Sequence, residues 1–280
     1  MIIRCYGARG SIPVSGEEYL KYGGDTTCLE LRGKNDDEII IVDAGSGIRR
    51  LGNKLLAEQR FVFSIIFTHS HWDHILGFPF LKPLFNEKTV LNLMGCELAQ
   101  GNIHKLLSKA MSAPLFPVQF DQVKAKIQYK GACPSSAHVG SIGISPINLS
   151  HPNMGLGYKF AEEGKTFVFL TDNELRFRHR GGRSIEEYVK FAQGADLLIH
   201  DAEYTPEEYE ATRGWGHSTY VDALQVALKA RVKAFGLFHH NQDRNDADQD
   251  KILQQCLEII QREKADLECF VVTQATEIRL

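Results

Sequence analysis

The stretch FVFSIIFTHSHWDHILGFPF, residues 61 to 80, decides how the rest of the chain is read. Val62 to Phe67 is a nearly unbroken apolar run, as expected of a strand covered on both faces. It gives way to Thr68-His69-Ser70-His71-Trp72-Asp73-His74, which places four potential metal-binding groups within six positions. In an extended segment alternate side chains share a face, so His69, His71 and Asp73 are expected to point one way. His74 follows where a helix is expected to start, near Asp73. Crowding three imidazoles and a carboxylate is costly unless a cation holds them, and neutral imidazole is a common ligand for zinc, iron and similar ions. A polar loop with clustered histidines is the plainer reading. The H-x-H-x-D-H spacing at the end of an apolar strand favours a metal site.

Composition narrows the class. The chain has 280 residues, 43% of them apolar, which is enough for a large core in one layered α/β unit. A net charge of −3 with both signs interspersed argues against a polycationic nucleic-acid or membrane surface. No apolar run reaches the length of a membrane span, and MIIRCYGARG reads as a strand and turn, not a signal peptide. The six cysteines, Cys5, Cys28, Cys96, Cys133, Cys256 and Cys269, show no C-x-x-C spacing. They read as free, mostly buried thiols of a cytoplasmic protein.

Along the chain, strands are expected at 1–6, 26–31 and 38–42, with a polar turn at Asn35-Asp36-Asp37. A helix follows from Ile48 to Glu58, then the strand at 62–67. Further strands are expected at 89–93, 127–131, 145–149, 157–160, 167–170, 197–199, 234–238 and 270–273. Helices are expected at 98–111, 184–193, 205–212, 219–229 and 246–262. Two β-rich halves, each followed by helices and with no linker between them, suit a four-layer αββα sandwich forming one domain over residues 1–280.

The segment THSHWDHILGFPF resembles the metallo-β-lactamase-fold hydrolases, and its Gly77, Phe78 and Pro79 resemble the phosphodiesterase and ribonuclease Z branch. That resemblance implies a two-metal site in an αββα sandwich. Three more strand ends offer donors. His151 sits before Pro152, either as a surface histidine or as a ligand. Asp172 closes an apolar strand, where it would be poorly solvated without a partner. His239 and His240 are adjacent on a strand end, so only one is expected to face the site. The resemblance implies His69, His71 and His151 around one ion, Asp73, His74 and His239 around the other, and Asp172 bridging. It also implies zinc, manganese or iron as the two divalent ions, zinc first, and a shared water acidified to hydroxide for attack on a phosphodiester.

Leu197-Leu198-Ile199-His200-Asp201 and Gly216-His217-Ser218-Thr219 are similar to further ribonuclease Z segments. The resemblance implies that His217 contacts the substrate phosphate or leaving group, with Asp201 orienting it. The plainer alternative makes Ser218 an N-cap of the next helix. Asp43, in the Asp43-Ala44-Gly45-Ser46-Gly47 turn, is expected at most to brace the metal loop, and Glu174 to orient a ligand or make a turn. Arg176, Arg178, Arg180 and Arg183 form a solvated loop that could attract an anion, and Trp72 either stacks on a base or lines the site. The relatives of compact form that the chain resembles include cyclic-nucleotide phosphodiesterases, which implies a small cyclic nucleotide as the leading substrate class. Transfer-RNA trimming is the alternative, disfavoured by the short 158–172 segment where such enzymes carry a long arm. A non-enzymatic binding protein that kept the fold is a further alternative. A weakly held homodimer is expected.

Overall fold

The computed structural model describes residues 1–34, 38–94, 102–130 and 136–280. The expected turn at 35–37, the start of the helix expected from Leu98, the strand end at Gly131, and Cys96 and Cys133 lie outside those residues. Six strands open the chain: β1 (Ile2–Gly7), β2 (Cys28–Arg32), β3 (Ile39–Val42), β4 (Val62–Ile66), β5 (Val90–Met94) and β6 (Lys126–Lys130). Seven more follow: β7 (Ala137–Val139), β8 (Ile142–Leu149), β9 (Gly155–Glu162), β10 (Lys165–Leu170), β11 (Leu197–Asp201), β12 (Ala234–Phe238) and β13 (Glu268–Val271). β14 (Glu277–Arg279) then returns to pair with β1. The strands form two seven-stranded mixed sheets, ordered β14-β1-β2-β3-β4-β5-β6 and β13-β12-β11-β10-β9-β8-β7.

Side-chain alternation builds the layers. In β3, Ile40 and Val42 face the opposite sheet, while Ile39 and Ile41 face the outside of their own. In β10, Phe167 and Phe169 meet the first sheet, and Val168 and Leu170 face away. These strands are apolar at every position because both of their faces are covered. Outside the first sheet pack α1 (Ile48–Ala57) and α3 (Ile103–Ala110), through Leu51, Leu55 and Leu107. Between them in the chain lies the single turn α2 (Trp72–Ile75). Outside the second sheet pack α4 (Ile185–Ala192), α6 (Tyr220–Ala230) and α7 (Asp246–Glu263), through Tyr188, Leu224 and Ile252. α5 (Pro206–Thr212) joins β11 to α6. Each fully buried Phe or Ile in these interfaces is worth roughly 1.5–3 kcal/mol relative to exposure. The architecture is the expected αββα sandwich.

Helix ends follow capping chemistry. Ser184 and Thr205 each form a reciprocal capping box, with Glu187 and Glu208. α6 is capped by Thr219, whose hydroxyl accepts from the Asp222 amide. Ser218 is therefore not the cap: its hydroxyl donates to the Asn173 carbonyl and accepts from the Leu175 amide. The short edge strands β7 and β14 escape the sequence reading, because three-residue strands carry little periodicity.

Strand direction places the site. β3 and β4 run parallel, as do β10, β11 and β12. β8 is antiparallel to β9 and β9 to β10, so β8 runs in the same sense as β10. The residues that follow β3, β4, β8, β10, β11 and β12 therefore emerge at carboxyl ends, where open α/β sheets commonly place ligands.

Candidate metal centre

Two quartets of donors converge at that edge. His69, His71, His151 and Asp172 form one, and Asp73, His74, Asp172 and His239 the other. Within each quartet one donor atom per residue lies within 4.8 Å of the others. Asp172 belongs to both. The partition is the one implied by the family resemblance, but the local geometry differs. β4 ends at Ile66, His71 is extended, and Asp73 already lies in α2. The motif thus crosses from extended chain to helix between His71 and Asp73, which sends its two halves to different quartets. His71 is half-buried and the other six residues are buried.

Backbone strain concentrates at the strand ends here. Asp43, Asp172 and His239, each one or two residues past a strand, have φ of 63°, 51° and 58°. Left-handed backbone is uncommon for residues other than glycine and costs on the order of 1–3 kcal/mol where it persists. The surroundings fix it. The Asp43 carboxylate accepts from the Thr68 amide and hydroxyl, both at 2.7 Å, and lies 2.8 Å from His74 Nδ1. The Ala44 amide donates to the His74 carbonyl at 2.7 Å and the Gly77 amide to the Ala44 carbonyl at 2.9 Å. Gly45 is required there, since a Cβ would sit 2.3 Å from the Asp73 carbonyl oxygen. From the first loop, the Ser11 amide donates to Asp73 Oδ2 at 3.0 Å. Arg9 is buried and donates to the carbonyls of Gly23, Asn241 and Arg244, tying that loop to the chain after β12.

The remaining ring nitrogens are oriented in the same manner. His151 Nδ1 lies 2.8 Å from the Gly216 carbonyl, and His239 Nδ1 lies 2.9 Å from Glu203 Oε2. His74, His151 and His239 are therefore anchored at Nδ1, and their Nε2 atoms face Asp172 at 3.2, 3.7 and 3.3 Å. His69 Nε2 lies 3.4 Å from the same carboxylate. The buried Nε2 atoms of His69 and His74 make no well-formed hydrogen bond despite these distances. Unpaired buried nitrogens aimed at a shared carboxylate are costly as they stand and are what a cation would satisfy.

Electrostatics point the same way. Burial pushes the Asp172 carboxyl up, but His239, His74 and His69 outweigh it and hold that group well below the usual range. Burial disfavours charge on His74 and His239, yet the surrounding carboxylates drive both well above an ordinary histidine. Without another cation, protons settle on these two rings. His69 is held well below its usual value, and His151 falls to about 3, chiefly through burial, so both rings are neutral as ligation requires.

His217 lies beside the quartets. Its ring stacks on His239 at 4.6 Å between centroids, and its Nδ1 lies 2.8 Å from Asp201 Oδ2 and 3.3 Å from Glu203 Oε2. Burial opposes its charge, but Glu203 and Asp201 raise it to about 9. Asp201, His217 and His239 also form a third group that could hold an ion. The sequence reading gives Glu203 no role and leaves Glu174 between orienting a ligand and making a turn. For Glu203 a signal existed: alternation past β11 puts it on the face of Asp201. Glu174 is buried and accepts from Tyr209 Oη, the Gly214 and Gly216 amides, and His179 Nε2. His240 points away from the site, with Nε2 2.7 Å from the Val272 carbonyl. Trp72 is 63% exposed at the rim. The described cysteines, Cys5, Cys28, Cys256 and Cys269, are free thiols.

A family model described as Beta-lactamase superfamily domain matches residues 39–240, so the chain belongs to that superfamily, as a metal-dependent hydrolase. Ribonuclease Z of Thermococcus gammatolerans is 27% identical over 248 residues, spanning 72% of this chain and 74% of the relative. The Bacillus subtilis metallo-beta-lactamase fold protein YhfI superposes with a TM-score of 0.72 at 16% identity, over 99% of this chain and 98% of that one. Unliganded yeast PDE1 gives 0.71 at 14% identity, over 100% and 99%. Among the described residues no helix is long and apolar enough to cross a membrane.

Proposed function

We propose that this chain is a two-metal phosphodiesterase acting on a small cyclic nucleotide. The observation that carries the reading is the sharing of Asp172 by two donor quartets, with the proton-bearing His217 stacked on His239. His69, His71 and His151 would hold one divalent ion and Asp73, His74 and His239 the other, with zinc preferred and manganese or iron as alternatives. Such ions, when bound, acidify water and neutralise phosphoryl charge. Asp43, the Gly216 carbonyl and Glu203 fix ring tautomers so that each Nε2 faces inward. With Nδ1 held by Asp201, His217 keeps a proton at Nε2 for the leaving oxygen.

In the 158–172 segment, where an arm would stand, the chain makes only a tight β9–β10 hairpin at Glu163-Gly164, and no long arm stands among the described residues. That favours a small substrate. Similarity to the Thermococcus ribonuclease Z favours the second reading, RNA trimming. Zinc- or manganese-loaded protein assayed on bis(p-nitrophenyl) phosphate, cyclic nucleotides and a precursor transfer RNA separates the two. Efficient RNA trimming with no cyclic-nucleotide turnover would overturn the reading. We take residues 1–280 as one cytoplasmic hydrolase domain that forms a weak homodimer, checked by light scattering.

A further inference from the structure

Beside His151 opens a cleft of about 530 Å³, lined by His151, Pro152, Asn153, Met154, His179 and Arg180. Its volume suits a nucleoside-sized ligand. No carboxylate lines it. Its walls are pinned. His179 Nε2 donates to the buried Glu174 at 2.7 Å, and the His179 amide donates to Ser150 Oγ at 3.0 Å. On the other wall Asn153 and Met154 hold φ of 64° and 70°. Of the four arginines in the loop after β10, three are engaged by the protein. Arg176 pairs with Asp222 at 2.7 Å, Arg178 Nε donates to the Gly182 carbonyl at 2.9 Å, and Arg183 lies 3.4 Å from Glu187. Arg180, the one that lines the cleft, is solvent-exposed and has no ion pair or hydrogen bond among the described residues.

We infer that this cleft takes the base of the substrate and that Arg180 selects guanine. The inference rests on the phosphodiesterase reading, because His151 joins the cleft to the metal quartets. A base seated there would lie against the apolar atoms of Pro152 and Met154, beside the 179–180 segment. A guanidinium offers donors only. The Hoogsteen edge of guanine presents two adjacent acceptors, O6 and N7, whereas adenine places a donor beside its N7. An unpartnered guanidinium in a cleft without carboxylates therefore prefers guanine.

The test compares wild type with Arg180→Ala and Arg180→Lys, each loaded with manganese, on cyclic GMP, cyclic AMP and bis(p-nitrophenyl) phosphate. Binding of GMP to the metal-free proteins is followed by calorimetry. Wild type is expected to favour cyclic GMP over cyclic AMP. Arg180→Ala is expected to raise the KM for cyclic GMP about tenfold and to weaken GMP binding to match. Turnover of bis(p-nitrophenyl) phosphate, which carries no base, stays unchanged. Arg180→Lys, with a point charge in place of a planar fork, recovers little of the loss. Equal effects on all three substrates, no effect on GMP binding, or a wild-type preference for cyclic AMP would overturn the inference and leave the hydrolase reading intact. Failure of wild type to cleave any of the three would instead overturn both.

Discussion

The Gly216 carbonyl lies 2.8 Å from His151 Nδ1, so the loop that carries His217 also sets the ring of a candidate metal ligand. The turn admits only glycine at 216. Its φ is 101°, and a Cβ there would approach His151 Nδ1 to 2.1 Å. Gly216→Ala is expected to displace the His151 ring and lower affinity for the first ion by on the order of 10–100-fold, measured by competition with a metal chelator. Unchanged affinity would show that the His151 ring does not depend on this carbonyl.

Glu174 fastens that loop from below. One carboxylate oxygen accepts from Tyr209 Oη and the Gly214 amide, and the other from the Gly216 amide and His179 Nε2. A glutamine cannot accept at both positions, because its amide NH₂ would face two donors. Glu174→Gln is therefore expected to cost about 2 kcal/mol of stability, seen in chemical denaturation, with looser metal binding at His151. A stability equal to wild type would refute the clamp.

Asp43 serves His74 as Gly216 serves His151. Removing its carboxylate leaves the Thr68 amide without its acceptor in a fully buried site and takes the 2.8 Å partner from His74 Nδ1, while the Thr68 hydroxyl keeps its 3.1 Å contact to His69 Nδ1. Asp43→Ala is expected to weaken the second ion by on the order of 10–100-fold and the first, reached only through Thr68 and His69, by less. Two-site metal titration reads the difference, and equal loss at both sites would count against the assigned partition.

The pH dependence follows from His217. Its folded value, about 9, lies above the ordinary value for histidine, because Glu203 and Asp201 outweigh burial. The protonated form persists at neutral pH and is lost as pH rises through that value. Activity that needs a proton at Nε2 is expected to fall on the alkaline side, at or below pH 9. Asp201→Asn removes one raising carboxylate and is expected to move that limb to lower pH, whereas His217→Asn abolishes it. A pH–rate profile that keeps the limb in His217→Asn would place the titrating group elsewhere.

Much of this site could be read before the fold was known, for a physical reason. His69, His71, Asp73 and His74 are dense polar groups set against an apolar strand, and Asp172 and His239 each close another such run. Burying these groups unpartnered would be costly, so their position alone signals function. The αββα layering was likewise visible in the apolar β3, β4, β10 and β12. The supports were harder to see. Glu174 and Glu203 act on atoms 42 and 36 residues away, at Gly216 and His239, and no local spacing records such contacts. Nothing in the glycine-rich sequence around Arg9 signals that its guanidinium is buried against three backbone carbonyls. Ser218 and Thr219 both have capping chemistry, and only tertiary contacts of Ser218 decide that Thr219 is the cap.

Anomalous diffraction from crystals of the zinc- or manganese-loaded protein tests the central claim most directly. Two peaks are predicted, one among His69, His71 and His151 and one among Asp73, His74 and His239, with Asp172 touching both. No peak in either quartet, or a lone ion held by Asp201, His217 and His239, would contradict it.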